Sequence, residues 1–554
     1  MFLGLLRVSQ AVRNPKSRWL PAPPDIARAL LLGLSLIAMA TNVPVAAAQK
    51  VQLSVEVSRA GPKIDRNIFG QFAEHLGHGV YEGLWVGPDS TIPNTRGIRN
   101  DVVAALKALK VPNLRWPGGC FADEYHWRNG IGAQRVITLN PNWGGVTEQN
   151  TFGTHEFMDL LDQIGAAAYI SINVGSGTPR EAAEWLEYLT AAQPTTLAKE
   201  RAANGHREPY WVGYLGIGNE SWACGGNMTA DYYLSQLKIY SRFVRNFNPA
   251  QDKQPMWKIA VGPGGSEREW TDWTEAIMKA YQNREWSWSW DINGLSMHSY
   301  TVGHWPPSFA SVGFGEKEYG QILKYTLDME ELVSKHSAIM DKYDPQKKVA
   351  LIVDEWGAWY APLPGTNPSF LVQQNSLRDA ILAALNLNIF ARHADRVRMA
   401  NIAQMINVLQ AMIMTDKEKL VLTPTYYVFK MYVPFEDATF VPVAFHAGTY
   451  THGDIGLPRI DAIAAKDGAG RLWLAITNLD PNQPVEVEAS LAGATVKSAA
   501  GQTLTADKVD SVNTFDAPKT VVPKPISARV EGGKLALTLE PKSVTVISTQ
   551  IDNR

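Results

Sequence analysis

The chain has 554 residues, 45% of them apolar, and a formal net charge of −2. That length exceeds one ordinary domain, and a near-neutral chain without a basic stripe argues against nucleic acid as a partner. The 18 tryptophans and 19 tyrosines are mostly core material, although flat rings also stack on sugars.

In chain order, Arg7, Arg13, Lys16, Arg18 and Arg28 precede the apolar run ALLLGLSLIAMA at 29–40. Ala46 and Ala48 then suit a small-residue cleavage site before Gln49. Such a run is too short to span a bilayer, so residues 1–48 read as a signal peptide. The expectation is a periplasmic or secreted protein with no membrane association. Its two cysteines, Cys120 and Cys224, are then a candidate disulfide, with two buried, unbonded thiols as the alternative.

KVQLSVEV at 50–57 alternates apolar and polar residues, the pattern of a half-buried strand. From there to about Met431, eight short apolar runs alternate with longer amphipathic stretches such as 100–110 and 179–192. The runs lie at 67–75, 112–119, 168–175, 214–220, 257–264, 292–300, 348–356 and 398–405. Eight strands separated by helices predict an α/β fold, a (β/α)8 TIM barrel, over 64–432. The open doubly wound rival lacks its glycine-rich phosphate loop. Beyond Val433 alternating runs at 471–480, 484–493 and 534–549 are punctuated by Gly, Pro, Asn and Asp. They predict a β-sandwich over 433–554, which the strand within 49–63 joins.

In a barrel of this kind the C-terminal strand ends build the site. Those ends carry Glu74-His75, Arg115-Trp116, Asn173, Asn219-Glu220, His298 with Tyr300, Asp354-Glu355-Trp356, and Gln404. Any one glutamate alone is as easily a salt-bridge partner, but polar residues at nearly every strand end are hard to explain as structure. Glu220 and Glu355, on runs four and seven, suit glycoside hydrolysis: one carboxyl protonates the leaving oxygen and the other attacks or activates water. Asn219 can bond a sugar hydroxyl, Tyr300 can steady the nucleophile, and Gln404 can hold the nucleophile or the sugar. His75 and His78 suggest a metal site only weakly, because their spacing on a strand-loop segment does not bring them together. No cofactor motif is present.

The ordered blocks GQFAEHLG (70–77), RWPGGCFADEYHWRNGIG (115–132), FGTHEFMDL (152–160), GNESWACGGNM (218–228), MHSY (297–300), DEWGAWY (354–360) and NIAQMINVLQAMIMT (401–415) resemble glycoside hydrolase family 51, the α-L-arabinofuranosidases. The resemblance spans essentially the whole mature chain. It implies that Glu220 is the general acid/base and Glu355 the nucleophile of a retaining, exo-acting enzyme. It implies that Glu74 and Asn219 bind sugar hydroxyls, that Tyr300 contacts the nucleophile, that His298 and Trp359 line the pocket, and that Gln404 contacts the sugar. Some members carry asparagine where this chain has Cys120, and many share both cysteines. The implied partners are arabinose-containing polysaccharides and oligosaccharides, with a homo-oligomer, a hexamer, by family analogy. A β-xylosidase or endoglucanase on the same barrel, and a non-catalytic carbohydrate-binding protein, are the rival readings.

Overall fold

The computed structural model describes residues 50–265 and 270–553. The signal-peptide reading falls outside them. No described helix is long and apolar enough to cross a membrane.

Eight parallel strands close into a barrel: Gly70–Phe72, Asn113–Trp116, Ala167–Ile172, Val212–Ile217, Trp257–Ala260, Gly294–Thr301, Ala350–Ala358 and Val397–Ile402. They follow one another in chain order around the ring, and the eighth pairs with the first through Asn401–Gly70 and Ile402–Gln71. The continuous apolar character of runs such as AYISIN follows from burial on both faces: the outer face packs on helices and the inner face fills the barrel. Tyr169, Ile259, Ala350, Ile352 and Met399 form one buried interior cluster. A polar layer lies at the start of strand two, where Asn401 donates to Asn113 Oδ1 (2.7 Å) and Asn113 donates to Asn67 Oδ1 (2.9 Å).

The helices begin where the sequence supplies caps. Pro179–Thr190 starts with proline in its first turn, and the Thr178 side chain accepts from Glu181 N; both stabilise the exposed first turn. Leu377–Arg392 is different, because every residue but the last is buried. A helix buried on all sides needs cover on all sides and partners for its buried polar residues. Here it lies between barrel strands on one side and sandwich strands on the other. Asn388 and Arg392 both bond Asp461 across that joint, at 2.8 and 2.9 Å.

The sandwich has a five-stranded and a six-stranded sheet. The strand Lys50–Val55 lies inside the five-stranded sheet, antiparallel to Val443–Phe445 and parallel to Val485–Leu491. Its alternation has a direct cause: Val51, Leu53 and Val55 face a core shared with Ile460, Leu474, Val487, Leu537 and Ile547. The two ends of the described chain therefore meet in one module.

Candidate active site

The strand ends converge at one mouth. Glu355 lies on the seventh strand, three residues before its end at Ala358, and is only 5% exposed. Its Oε1 accepts from Arg115 Nη1 at 2.7 Å and its Oε2 from the Tyr300 hydroxyl at 2.7 Å. Arg115 also donates to Asn219 Oδ1 at 2.6 Å and lies 4.6 Å above the Phe72 ring. Its guanidinium is locked on two carboxylates, with Asp354 3.5 Å from Nε. Burial pushes Tyr300's phenol well above its ordinary range, and the Glu355 carboxylate adds to this. The phenol therefore stays protonated and acts as a donor.

Glu220 stands on a sharp turn after the fourth strand. Gly218 has φ 89° and Glu220 itself φ 37°, a left-handed conformation that costs a non-glycine residue roughly 1–3 kcal/mol and gathers at functional sites. His298 Nδ1 lies 2.9 Å from Glu220 Oε1 and 3.4 Å from Glu355 Oε1, and its Nε2 lies 3.3 Å from Asp354 Oδ1. Burial opposes a charge on this imidazole, but the carboxylates of Glu355 and Asp354 outweigh it and push the group up to about 10. The imidazolium bridges both catalytic candidates. One carboxyl oxygen of Glu220, one of Glu355 and a His298 nitrogen all lie within 4.8 Å of one another.

Glu74 forms the opposite wall. Its Oε1 accepts from Phe121 N (3.0 Å) and Trp143 Nε1 (2.9 Å), and its Oε2 accepts from Gln404 Nε2 (3.1 Å). Burial, and then the nearby Glu355 carboxylate, push it up to about 7. The sequence left Gln404 between nucleophile and sugar; its amide in fact bonds Glu74 and not Glu355. The turn Pro117-Gly118-Gly119-Cys120 closes over these groups. A Cβ on Gly119 would stand 3.2 Å from Glu355 Oε1 and 3.2 Å from both Glu74 oxygens, so the turn needs glycine to come this close.

Cys120 and Cys224 are bonded, with Cα atoms 5.5 Å apart. The bond ties the turn after strand two to the loop that follows Glu220. Cys224 Sγ lies 3.7 Å from Glu220 Oε2; as a disulfide sulfur it has no proton to donate. The cavity between these walls has about 310 Å³ of empty space, counting its open side, and is lined by Glu74, Trp143, Asn219, Glu220, Tyr300, Glu355, Trp359 and Gln404, with Gly119 and Cys120 contributed by the turn. Trp359 stands edge-on to Tyr300 and to Trp305, at 4.9 Å in each case.

These contacts can be compared with known proteins. Two family models match: the α-L-arabinofuranosidase 1 domain over 105–286 and the α-L-arabinofuranosidase C-terminal domain over 354–543. An intracellular exo-α-L-arabinofuranosidase of Bacteroides ovatus is 42% identical over 92% of this chain and 98% of its own. The crystal structure of a GH51 arabinofuranosidase from Xanthomonas axonopodis pv. citri is 51% identical, covers 90% of this chain and 100% of its own, and superposes with a TM-score of 0.86. The chain belongs to glycoside hydrolase family 51. The α-L-arabinofuranosidase of Thermotoga maritima, solved with arabinose, is a more distant family neighbour: 30% identical, 90% and 100% covered, TM-score 0.75.

Within this family 51 chain, two further residues serve the site without having been singled out from the sequence, Trp143 and Asp123. Trp143 sits in the turn NPNWGG and reaches Glu74 from 69 positions away; a lone tryptophan among Gly, Asn and Pro was its one signal. Asp123 accepts from the backbone N–H groups of Val174, Gly175 and Asn219 at 2.7–2.9 Å, fixing the ends of strands three and four. Arg115 was legible as a strand-end residue, but not as the link between Glu355 and Asn219. Asn173, also read at a strand end, is used structurally: it accepts from Ser176 N and Gly177 N in its own turn. His75 and His78 do not meet. His75 Nδ1 faces Glu148 at 3.0 Å and His78 Nδ1 faces Glu82 at 3.0 Å.

Proposed function

We propose that this chain is a retaining, exo-acting α-L-arabinofuranosidase that releases terminal non-reducing α-L-arabinofuranosyl residues from arabinoxylan, arabinan or their oligosaccharides. The observation that carries the reading is the approach of the Glu220 and Glu355 carboxyl oxygens to within 4.8 Å beside a small pocket. Retaining glycosidases hold their carboxyl groups about 5–5.5 Å apart, whereas inverting ones leave about 6.5–9.5 Å for a water.

In the first step Glu355 attacks the anomeric carbon while Glu220 gives its proton to the leaving oxygen. In the second, Glu220 takes a proton from water, which hydrolyses the arabinosyl-enzyme with net retention. Tyr300 and Arg115 fix the Glu355 carboxylate for attack. Glu74, Asn219 and Gln404 bond the sugar hydroxyls, His298 positions Glu220, and Trp359 borders the pocket. This assigns 64–432 to a catalytic barrel and 49–63 with 433–554 to the sandwich.

The modest cavity favours one terminal sugar over a chain threaded through a cleft, which weighs against an endoglucanase. β-Xylosidase activity is tested directly: hydrolysis of nitrophenyl arabinofuranoside should exceed that of nitrophenyl xyloside, with the β-configured product absent from the first NMR spectra. Faster xyloside cleavage or an inverted product overturns the reading.

We place the enzyme in the periplasm or medium. The leader at 1–48 supports this, and so does the disulfide, which an oxidising compartment maintains. The name of the Bacteroides relative says intracellular, so fractionation of the source cells is the deciding measurement. A homo-oligomer, a hexamer by family analogy, is tested by light scattering.

A further inference from the structure

A second and larger cavity opens on the same face of the barrel. Its walls come from segments that follow barrel strands one, two, seven and eight, with Phe515 of the sandwich region closing one side. It holds about 1920 Å³ of empty space, counting its open side.

The cavity shares a wall with the catalytic pocket. Three chain segments supply residues to both: Leu76 lines the catalytic pocket and His78 the second cavity, Leu371 the first and Val372 the second, Leu409 the first and Asn407 the second. The wall is knit together, with Leu409 N donating to Leu371 O at 3.0 Å and the Phe370 ring meeting the His78 ring edge-on at 5.3 Å.

The groove is preformed. Fully buried Arg99 donates to the carbonyls of Lys417 and Lys419 at 2.5 and 3.3 Å, anchoring the hairpin that forms one side. The Asn407 amide bonds His78 O (2.9 Å) and Thr415 Oγ1 (2.8 Å). Glu82, Asn407 and Lys417 all stand at positive φ, 65°, 60° and 52°, conformations that persist only where the surroundings dictate them.

Its lining combines aromatic surface from Trp85 and Phe515 with the hydroxyls of Ser90, Thr366 and Thr415. The charges are few, Glu82 and Asp416 against one Lys417, so the lining leans slightly negative, while His78 lies against Glu82. Aromatic faces with uncharged polar groups suit a neutral, polyhydroxylated ligand and give an anionic polymer no field to follow.

We propose that this groove is an accessory glycan site, which holds the neutral main chain of a branched pentose polymer while one branch residue occupies the catalytic pocket. The proposal deepens the hydrolase reading and rests on it for the identity of the branch. An exo-acting pocket encloses one sugar, so the remaining polymer lies outside it, and the groove is the formed cavity across the shared wall.

The test uses two variants remote from the reacting groups: Thr366→Trp, which fills the groove, and Phe515→Ala, which removes a ring. Calorimetric titration of Glu355→Ala, with arabinose saturating the catalytic pocket, should show binding of a linear six-residue xylo-oligosaccharide or arabino-oligosaccharide. Whichever binds names the polymer. Adding Thr366→Trp should weaken binding about five- to tenfold, and Phe515→Ala should weaken it severalfold. In otherwise unaltered enzyme both variants should raise KM for that polymer by similar factors and leave nitrophenyl arabinofuranoside hydrolysis within about twofold. No oligosaccharide binding, or equal losses on polymer and nitrophenyl substrate, overturns the proposal. Failure of the unaltered enzyme to cleave the nitrophenyl substrate would instead overturn the hydrolase reading, and the titration would still report on the groove.

Discussion

Glu74→Gln should separate stability from activity at this site. Glu74 is 3% exposed and pushed up to about 7, first by burial and then by Glu355. An acid whose folded-state pKa lies above its unfolded value contributes stability that is whole below the unfolded pKa, 4.5, and is lost as pH rises through about 7. The span 7 − 4.5 is 2.5 units, and at ~1.4 kcal/mol per unit the loss is roughly 3 kcal/mol by pH 8. Glutamine cannot ionise, so the variant escapes this loss. It also keeps the hydrogen bonds. One oxygen still accepts from Phe121 N and Trp143 Nε1, and the new amide can donate to Gln404 Oε1, which makes no hydrogen bond among the described residues, once that amide turns over. With about 500 described residues and ~2.1 cal/mol/K per residue, the unfolding entropy is on the order of 1 kcal/mol/K. The variant should therefore melt ~3 °C above the parent at pH 8 and level with it at pH 4.5. Its activity should fall, because an ionised acceptor for sugar hydroxyls has become neutral. A hydrogen bond to a charged group is worth ~1.5–3 kcal/mol, hence a ~10–150-fold loss in kcat/KM. Thermal unfolding followed from pH 4.5 to 8, beside hydrolysis of nitrophenyl arabinofuranoside, measures both. A melting difference that does not change with pH, or that favours the parent at pH 8, would refute the reasoning.

Glu355→Ala should abolish turnover, with azide restoring it as an arabinosyl azide of inverted configuration. Glu220→Ala should spare the first step for good leaving groups, since these need little protonation, and yield the azide of retained configuration; the same anomer from both variants would reverse or void the assignment. Tyr300→Phe removes the 2.7 Å bond to Glu355 without leaving a cavity and should cost ~10–150-fold in kcat, read from steady-state kinetics. Replacing both Cys120 and Cys224 by serine opens a loop whose ends are 104 residues apart. The chain-entropy value of ~4.7 kcal/mol corresponds to a melting point lower by up to ~5 °C, which calorimetry at fixed scan rate would show.

What the sequence could show depended on how local each signal was. All eight barrel strands were legible because a strand buried on both faces leaves a continuous apolar run, and every run but the fifth carries a polar residue near the end where the barrel opens; the fifth, 257–264, runs out into Gly and Pro. The placement of 50–57 in the sandwich followed from its alternation and from the absence of a helix partner. The meeting of the proposed catalytic pair was legible for the same reason as the strands: Glu220 and Glu355 stand at or near strand ends, and the barrel carries strand ends to one mouth. Trp143 and Asp123 were not, because each acts on groups far away in the chain. Nothing around NPNWGG indicates that its indole meets Glu74, and nothing around Asp123 indicates three backbone donors from two other strands. Gln404 was placed in the mouth, yet its partner depended on a side-chain rotation that no spacing encodes.

Three carboxyls in and around the mouth are almost equally buried, Glu74 at 3%, Asp123 at 2% and Asp354 at 1% exposure, yet they behave differently. Burial pushes all three up. For Asp354 the Arg115 guanidinium and the His298 imidazolium outweigh it, and the group ends below its ordinary value. Glu74 and Asp123 have neutral donors in direct contact: backbone N–H groups, an indole and an amide. Both rise to about 7. The identity of the partner, cation or neutral dipole, therefore decides the outcome where desolvation is shared. The fixed cations are both on the Glu355–Asp354 side, where the proposed nucleophile needs its carboxylate oriented and its neighbour ionised. The wall that would meet sugar hydroxyls has only neutral donors, so Glu74 is left free to gain or lose a proton near neutral pH as the pocket fills. A barrel that placed a third cation beside Glu74 would make that wall more stable, but the cation would compete with the sugar for the same two oxygens.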